Sequence, residues 1–117
     1  MTAPYESFHE EIEERERRFE AVLIRLSNAV LVFFYKGEMK LGTLAVAMPR
    51  FGEETCISSI LLGERNMVIT RVLAERVASI SKGMTLVSTY LPEMQDAEAN
   101  STLMKLNQKL MEKAGLK

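Results

Sequence analysis

The sequence predicts an α+β domain in which mostly antiparallel strands, in two layers, are flanked by two helices. Short apolar runs, several of them alternating, indicate strands. Two later segments repeat apolar residues at three- and four-residue steps, which indicates helices. Short turns join the first strands, and such connections favour antiparallel pairing. The predicted order of elements is β-β-β-β-α-β-α.

Four strands are predicted before the first helix, at residues 19–26, 29–35, 41–48 and 55–62. The second, AVLVFFY, is apolar on both faces, which suits a central strand covered on both sides. In so small a domain that cover requires either closely wrapped layers or a second chain. A hairpin turn is expected at residues 36–38, because Gly37 tolerates a positive φ. In the third strand Thr43, Ala45 and Ala47 form a face of small residues, against which another element should pack closely.

Two helices and a fifth strand are predicted in the second half of the chain. Asn66 is a suitable N-cap for the first helix, and Gly83 should end it. A strand follows at residues 85–91, and Asp96 is expected to cap the last helix. One face of that helix is lined by Leu103, Leu106, Leu110 and Ala114, and its lysines (Lys105, Lys109 and Lys113) lie towards its C-terminal end.

The N-terminal segment is densely charged. Residues 6–20 hold seven acidic and three basic side chains, which predicts a solvated helix or a frayed arm. The alternative is an acidic arm that contacts a basic partner. We therefore expect a charged arm at residues 1–17 and a single domain at residues 18–117.

Composition and charge restrict the classes of partner and the cellular location that we expect for this protein. A net charge of −1 gives no overall basic field, so neither nucleic acid nor an anionic membrane is an expected partner. A single cysteine excludes an intramolecular disulfide. The N-terminus is acidic rather than apolar, and the longest apolar run, at residues 29–35, is too short to cross a bilayer. A cytoplasmic location is expected.

No constellation of residues predicts catalysis, and no cofactor or metal is expected. His9 is the sole histidine and is interpreted as a surface residue, because zinc sites need further His or Cys ligands. Cys56 is interpreted as a buried, inert thiol. The stretch at residues 63–66 has one glycine and is a weak candidate for anion binding.

Several segments together resemble the proteasome assembly chaperone 4 family. The runs LAVAM at residues 44–48 and ISSILLG at residues 57–63 resemble its central block. Leu-Ala-x-Arg at residues 73–76 and VSTY at residues 87–90 follow in the same order. The last helix, with Asn107 and Glu112, agrees in position and character. The resemblance covers roughly residues 18–114, whereas the acidic arm and the eight methionines depart from it.

The resemblance implies a non-catalytic chaperone that pairs with a paralogous chaperone or with itself. Such a dimer holds alpha-type proteasome subunits while the 20S ring assembles. Amphipathicity suggests the last helix as the dimer contact, although the same stripe suits a core. The candidate interface residues are Leu103, Leu106, Leu110, Met104 and Met111.

Two further functions are weighed against that of a chaperone. The first is a roadblock- or profilin-like interaction module, which would need a helix between the second and third strands. The second is a small enzyme that uses Cys56 as a nucleophile.

Overall fold

The computed structural model describes residues 4–50, 55–92, 94 and 96–116. Six strands and two helices are present in this part of the chain, and the predicted α+β class is confirmed. In chain order they are β1 (Glu6–Glu14), β2 (Arg17–Arg25), β3 (Ala29–Tyr35), β4 (Thr43–Pro49), β5 (Cys56–Leu62), α1 (Met67–Ser81), β6 (Met84–Tyr90) and α2 (Asp96–Lys113).

The strands of the described residues form one sheet in the order β1-β2-β3-β6-β4-β5. Four of the five neighbouring pairs are antiparallel, as predicted, and only β3 and β6 run parallel. The described residues therefore supply a single layer of strands.

The expected hairpin between β3 and β4 is wrong, because β6 lies between these two strands. Gly37 does have a positive φ of 86°. However, the backbone N–H of Lys36 donates to the carbonyl of Tyr90 at 3.0 Å, so the chain leaves β3 along β6. A Cβ on Gly42 would lie 2.0 Å from the carbonyl oxygen of Thr89. The missing side chain at Gly42 thus lets the chain pass the end of β6 and enter β4.

Both helices lie on one face of the sheet, where α1 packs on β4, β5 and β6, and α2 packs on β1 and β2. The small residues Ala45 and Ala47 face α1, which presents Ala74 and Ala78 in return. All four are almost completely buried. The close packing predicted from the small face of β4 is confirmed, because small side chains on both elements let helix and sheet approach each other.

Helix α1 begins after Asn66, as predicted, but the Asn66 side chain forms no capping hydrogen bond. Instead Asn66 has a φ of 57°, and its carbonyl accepts from the backbone N–H and the hydroxyl of Thr70, at 3.0 and 2.6 Å. The Thr70 hydroxyl also lies 2.7 Å from that of Thr89 in β6. These buried bonds fix the start of α1 on the centre of the sheet. At the other end Lys82, rather than Gly83, takes the left-handed conformation.

The segment expected to be a helix or a frayed arm is instead an edge strand. All nine residues of β1 pair antiparallel with β2. Phe8 and Ile12 point to the helical side and pack against the core. The turn to β2 consists of Arg15 and Glu16, both with positive φ values, 53° and 63°. Such a turn is usually built from Asn and Gly, so its side chains give no recognisable signal.

The basic partner of this acidic strand is α2 of the same chain. The Lys105 ammonium donates to the Glu14 carboxylate at 2.8 Å. The ammonium groups of Lys109 and Lys113 donate to the main-chain carbonyls of Glu11 and His9, at 3.0 and 2.8 Å. Lysine side chains therefore occupy main-chain acceptors of an edge strand, which protects that edge from pairing with other chains.

The contact between β1 and α2 should weaken in acid. Hydrogen bonds from Lys105 and Thr102 lower the pKa of Glu14 below its usual 4.5. A lowered pKa means that these hydrogen bonds stabilise the folded state at neutral pH. Their stabilisation is lost as the pH falls through the pKa that Glu14 has in the folded state. We expect Glu14→Gln to be slightly less stable than the wild type at pH 7, and the difference to shrink in acid, below the usual carboxyl value of 4.5. Urea denaturation at neutral and at acidic pH measures this, and a difference that persists in acid would contradict the assignment.

Candidate partner-binding surface

The face of the sheet opposite the helices, hereafter the open face, has no covering element among the described residues. Its apolar side chains come from five neighbouring strands: Val22, Ile24, Leu31, Phe33, Leu44, Val46, Met48, Ile57, Leu61, Met84 and Leu86. Cross-strand pairing places Ile24, Leu31, Leu86 and Val46 in one row across four strands. The open face is therefore a continuous apolar surface.

Exposure is greatest towards β5. Met48 is 44% exposed, Ile57 49%, Leu61 52% and Met84 39%. Side chains nearer the centre of the sheet are half-buried. Isolated apolar residues on a surface are ordinary, but a contiguous set of this kind marks a site of interaction.

Charged side chains occupy one corner of the open face, on β1 and β2. His9 Nε2 lies 2.9 Å from a carboxylate oxygen of Glu20, and Arg18 donates to Glu11. Tyr35 pairs with Glu20 across β2 and β3, and burial, helped by that carboxylate, raises the pKa of the phenol. An apolar centre with a polar margin is the usual anatomy of a protein–protein interface.

Three of these side chains could in principle hold a cation. The ligand atoms of His9, Glu11 and Glu20 lie within 4.8 Å of one another. These groups already have partners within the chain, because Arg18 pairs with Glu11 and His9 contacts Glu20. Ion pairing at the margin of the open face accounts for the cluster.

The residues selected from the sequence as a dimer contact lie mainly inside the chain. Leu103, Leu106 and Leu110 of α2 are 0% exposed, and Met111 is 3% exposed. Only Met104 is partly exposed. Side chains with no exposed area have nothing to offer a partner in this conformation, so their burial favours a role in the core. Their role in pairing stays a prediction.

The sequence interpretation did not predict the open face, although part of the apolar pattern that forms it is visible in the sequence. The alternation in β4 places Leu44, Val46 and Met48 on one side, and the strand β3 is apolar on both faces. What the sequence alone did not reveal is that both helices lie on the same side of the sheet.

Cys56 does not have the surroundings of a nucleophile. Burial, with a smaller contribution from Glu75, raises the pKa of its thiol, so the neutral form dominates at physiological pH. It lies on β5, whereas His9 lies on β1 at the opposite edge of the sheet. No histidine in the described residues is therefore placed to act as its base.

The connection between β3 and β4, at residues 36–42, contains no helix. A roadblock- or profilin-like module would have a helix at this place, so the connection argues against such a module. Neither described helix is long and apolar enough to cross a membrane.

Comparison with known proteins identifies the fold. No protein-family model matches the chain, and no curated protein matches its sequence. Its structure does match solved structures, among them the crystal structure of a chaperone complex for yeast 20S proteasome assembly. That match has a TM-score of 0.72 and covers 97% of each chain at 10% sequence identity. This protein therefore has the fold of a proteasome assembly chaperone.

Truncating a buried leucine of α2 tests whether the apolar face of this helix belongs to the core. We expect Leu106→Ala to lower the free energy of unfolding by about 2–5 kcal/mol, because it leaves a cavity where the side chain is fully buried. Denaturant unfolding of the isolated chain at low concentration measures this. A loss of pairing with unchanged stability of the isolated chain would instead support the interface role.

Proposed function

We propose that this protein is a non-catalytic chaperone subunit for assembly of the 20S proteasome in the cytoplasm. It pairs with a second chain of similar fold through the open face. The pair binds alpha-type proteasome subunits while the ring assembles. The observation that carries the proposal is the fold match over 97% of both chains to a proteasome assembly chaperone complex.

The chemistry of the open face supports a sheet as the partner. A flat apolar surface that crosses five strands is best covered by another surface of similar shape, and two sheets pack face to face about 10 Å apart. The described residues provide one strand layer, and pairing supplies a second. Charged residues lie at one corner, around His9 and Arg18, where they remain solvated at the rim.

The partner is either a second copy or a paralogous chain. Both bury the same apolar residues, so the open face alone does not select between them. The charged corner provides the selection, because facing charges must complement one another for a pair to form. In a symmetric homodimer the charged corner of one copy faces either the same corner of the other copy or the diagonally opposite corner of its open face. A paralogue can instead carry charges that complement this corner.

The proposal that the pair binds alpha-type proteasome subunits rests on the structural neighbour and on the sequence resemblance. The yeast complex is described as a chaperone for 20S proteasome assembly. The segments at residues 44–48, 57–63 and 87–90 resemble the same group of chaperones. The sequence pattern and the three-dimensional fold thus support the same function.

Affinity capture from the source organism tests the proposal. Tagged protein is expressed at native level, and the captured proteins are identified by mass spectrometry. We expect enrichment of an alpha-type proteasome subunit and of a second chaperone chain, either an untagged copy or a paralogue. Failure to enrich any alpha-type subunit would contradict the function.

The role of the open face is tested by placing charge on it. We expect Met48→Glu with Ile57→Glu to weaken pairing by more than tenfold, because an unpaired charge buried in an interface costs about 2 kcal/mol or more. Both positions are well exposed in the single chain, so folding should survive. The matched control is Val68→Glu on α1, which is 65% exposed and lies on the helical side. Pairing that survives the double substitution would show that another surface is used.

A further inference from the structure

The two edges of the sheet differ in how they are protected. At the β1 edge, Lys109 and Lys113 of α2 occupy main-chain carbonyls. At the opposite edge β5 pairs with β4 alone among the described strands, and its sequence, CISSILL, carries no charge. An uncharged edge of this kind is a template on which a further strand can pair.

The main-chain groups that face outwards belong to alternate residues of β5. The backbone N–H of Arg50 donates to the carbonyl of Thr55 at 3.2 Å, so these two residues form a hydrogen-bonded pair. Hydrogen-bonded pairs alternate along an antiparallel ladder, and the register places Ile57 and Ser59 in the next two. The N–H and carbonyl groups of the residues between them therefore point away from β4. These residues are Cys56, Ser58 and Ile60.

Two charged side chains of α1 are held beside the middle of this edge. The hydroxyl of Ser58 donates to the Glu75 carboxylate, and Nε of Arg71 donates to the Ser58 oxygen at 3.0 Å. Both β5 and β6 pair antiparallel with β4, so α1, which connects them, runs back along the strands. Arg71 and Glu75 lie one helical turn apart. Ser58 therefore has a positive charge on one side along the edge and a negative charge on the other.

We propose that the β5 edge pairs antiparallel with the β5 edge of a second copy of this chain. A twofold axis through Ser58 makes partners of all three outward-facing residues. Ser58 then faces Ser58 of the second copy, and Cys56 faces Ile60. Each such pair exchanges two main-chain hydrogen bonds. The pairing joins two six-stranded sheets into one.

The charges beside Ser58 favour a second copy over an unrelated strand. The same twofold axis reverses the direction of α1, so Arg71 of each copy faces Glu75 of the other. Opposite charges that face each other across an interface fix its register. A twofold axis one residue further along β5, in either direction, would set like charges opposite each other. This follows because two residues of strand and one turn of helix are of similar length.

The edge contact leaves the open face available. In the proposed register Ile57 lies beside Ser59 of the second copy, so the open face continues from one copy to the next. The contact itself is small, since it consists of one short strand pair and two ion pairs. Interfaces below about 1,200 Å² are weak, so we expect reversible association with a dissociation constant of roughly 0.1 mM.

Charge reversal tests this contact. Arg71→Glu and Glu75→Arg each place like charges across the twofold axis, so we expect each variant to self-associate more than tenfold more weakly than the wild type. An equimolar mixture of the two variants restores both opposite pairs and should associate as the wild type does. Sedimentation velocity from about 1 µM to about 0.5 mM measures this. The open face is the same in all of these chains, so the differences between them report the β5 edge.

Replacing Cys56 tests the main-chain bonds. Cys56→Pro removes an outward-facing N–H, and an edge strand tolerates proline at its first residue. The matched control, Cys56→Ala, also loses the thiol but keeps the N–H. We expect the proline variant to self-associate more than tenfold more weakly than the alanine control, because the twofold axis removes two hydrogen bonds at once.

Three results would each overturn the edge contact. The first is a wild-type chain that forms nothing larger at about 0.5 mM than it forms at about 1 µM. The second is a mixture of the charge-reversal variants that stays as dissociated as either variant alone. The third is equal self-association of Cys56→Pro and Cys56→Ala. The contact involves no proteasome subunit, so its failure would leave the affinity-capture test of the proposed function unaffected.

Discussion

A sheet that is apolar on both faces, with helices available for only one of them, is the constraint on which the structure depends. Strand β3 shows this constraint most clearly. Its residues Val30, Val32 and Phe34 are buried under the helices, whereas Leu31 and Phe33 lie on the open face. Hydrophobic burial contributes roughly 25 cal/mol for each Å² of apolar surface. An uncovered apolar face is thus a substantial driving force for association, and it supports pairing as part of the function.

The remaining architecture serves to place that face. Inserting β6 between β3 and β4 puts β3 and β6 at the centre of the sheet, and the Thr70–Thr89 contact holds α1 over it. At the β1 edge, lysines of α2 occupy main-chain carbonyls, which discourages pairing edge to edge. The proposed association is consequently directed to the open face rather than to that edge.

Local patterns made most elements predictable, and non-local effects explain the failures. The bounds of β3 follow from its continuous apolar run, and the small face of β4 follows from short-range alternation. Strand β1 was missed because a spacing of four, as between Phe8 and Ile12, fits a strand face as well as a helical turn. The insertion of β6 depends on contacts between distant segments, such as Lys36 with Tyr90, which periodicity does not encode. Contacts between distant segments also decide on which side of the sheet α2 packs. The apolar stripe of α2 was therefore compatible with both a core and an interface role.

Methionine oxidation tests the coverage of the open face most directly. Met48 and Met84 lie on the open face, whereas Met39 and Met67 lie outside the strands, and the four are 44%, 39%, 49% and 42% exposed. Exposed methionine oxidises to the sulfoxide, and burial slows the reaction. In the isolated chain all four should react at similar rates. In the complex purified from the source organism, protection confined to Met48 and Met84 is the predicted result, and equal reaction at all four positions would contradict the account.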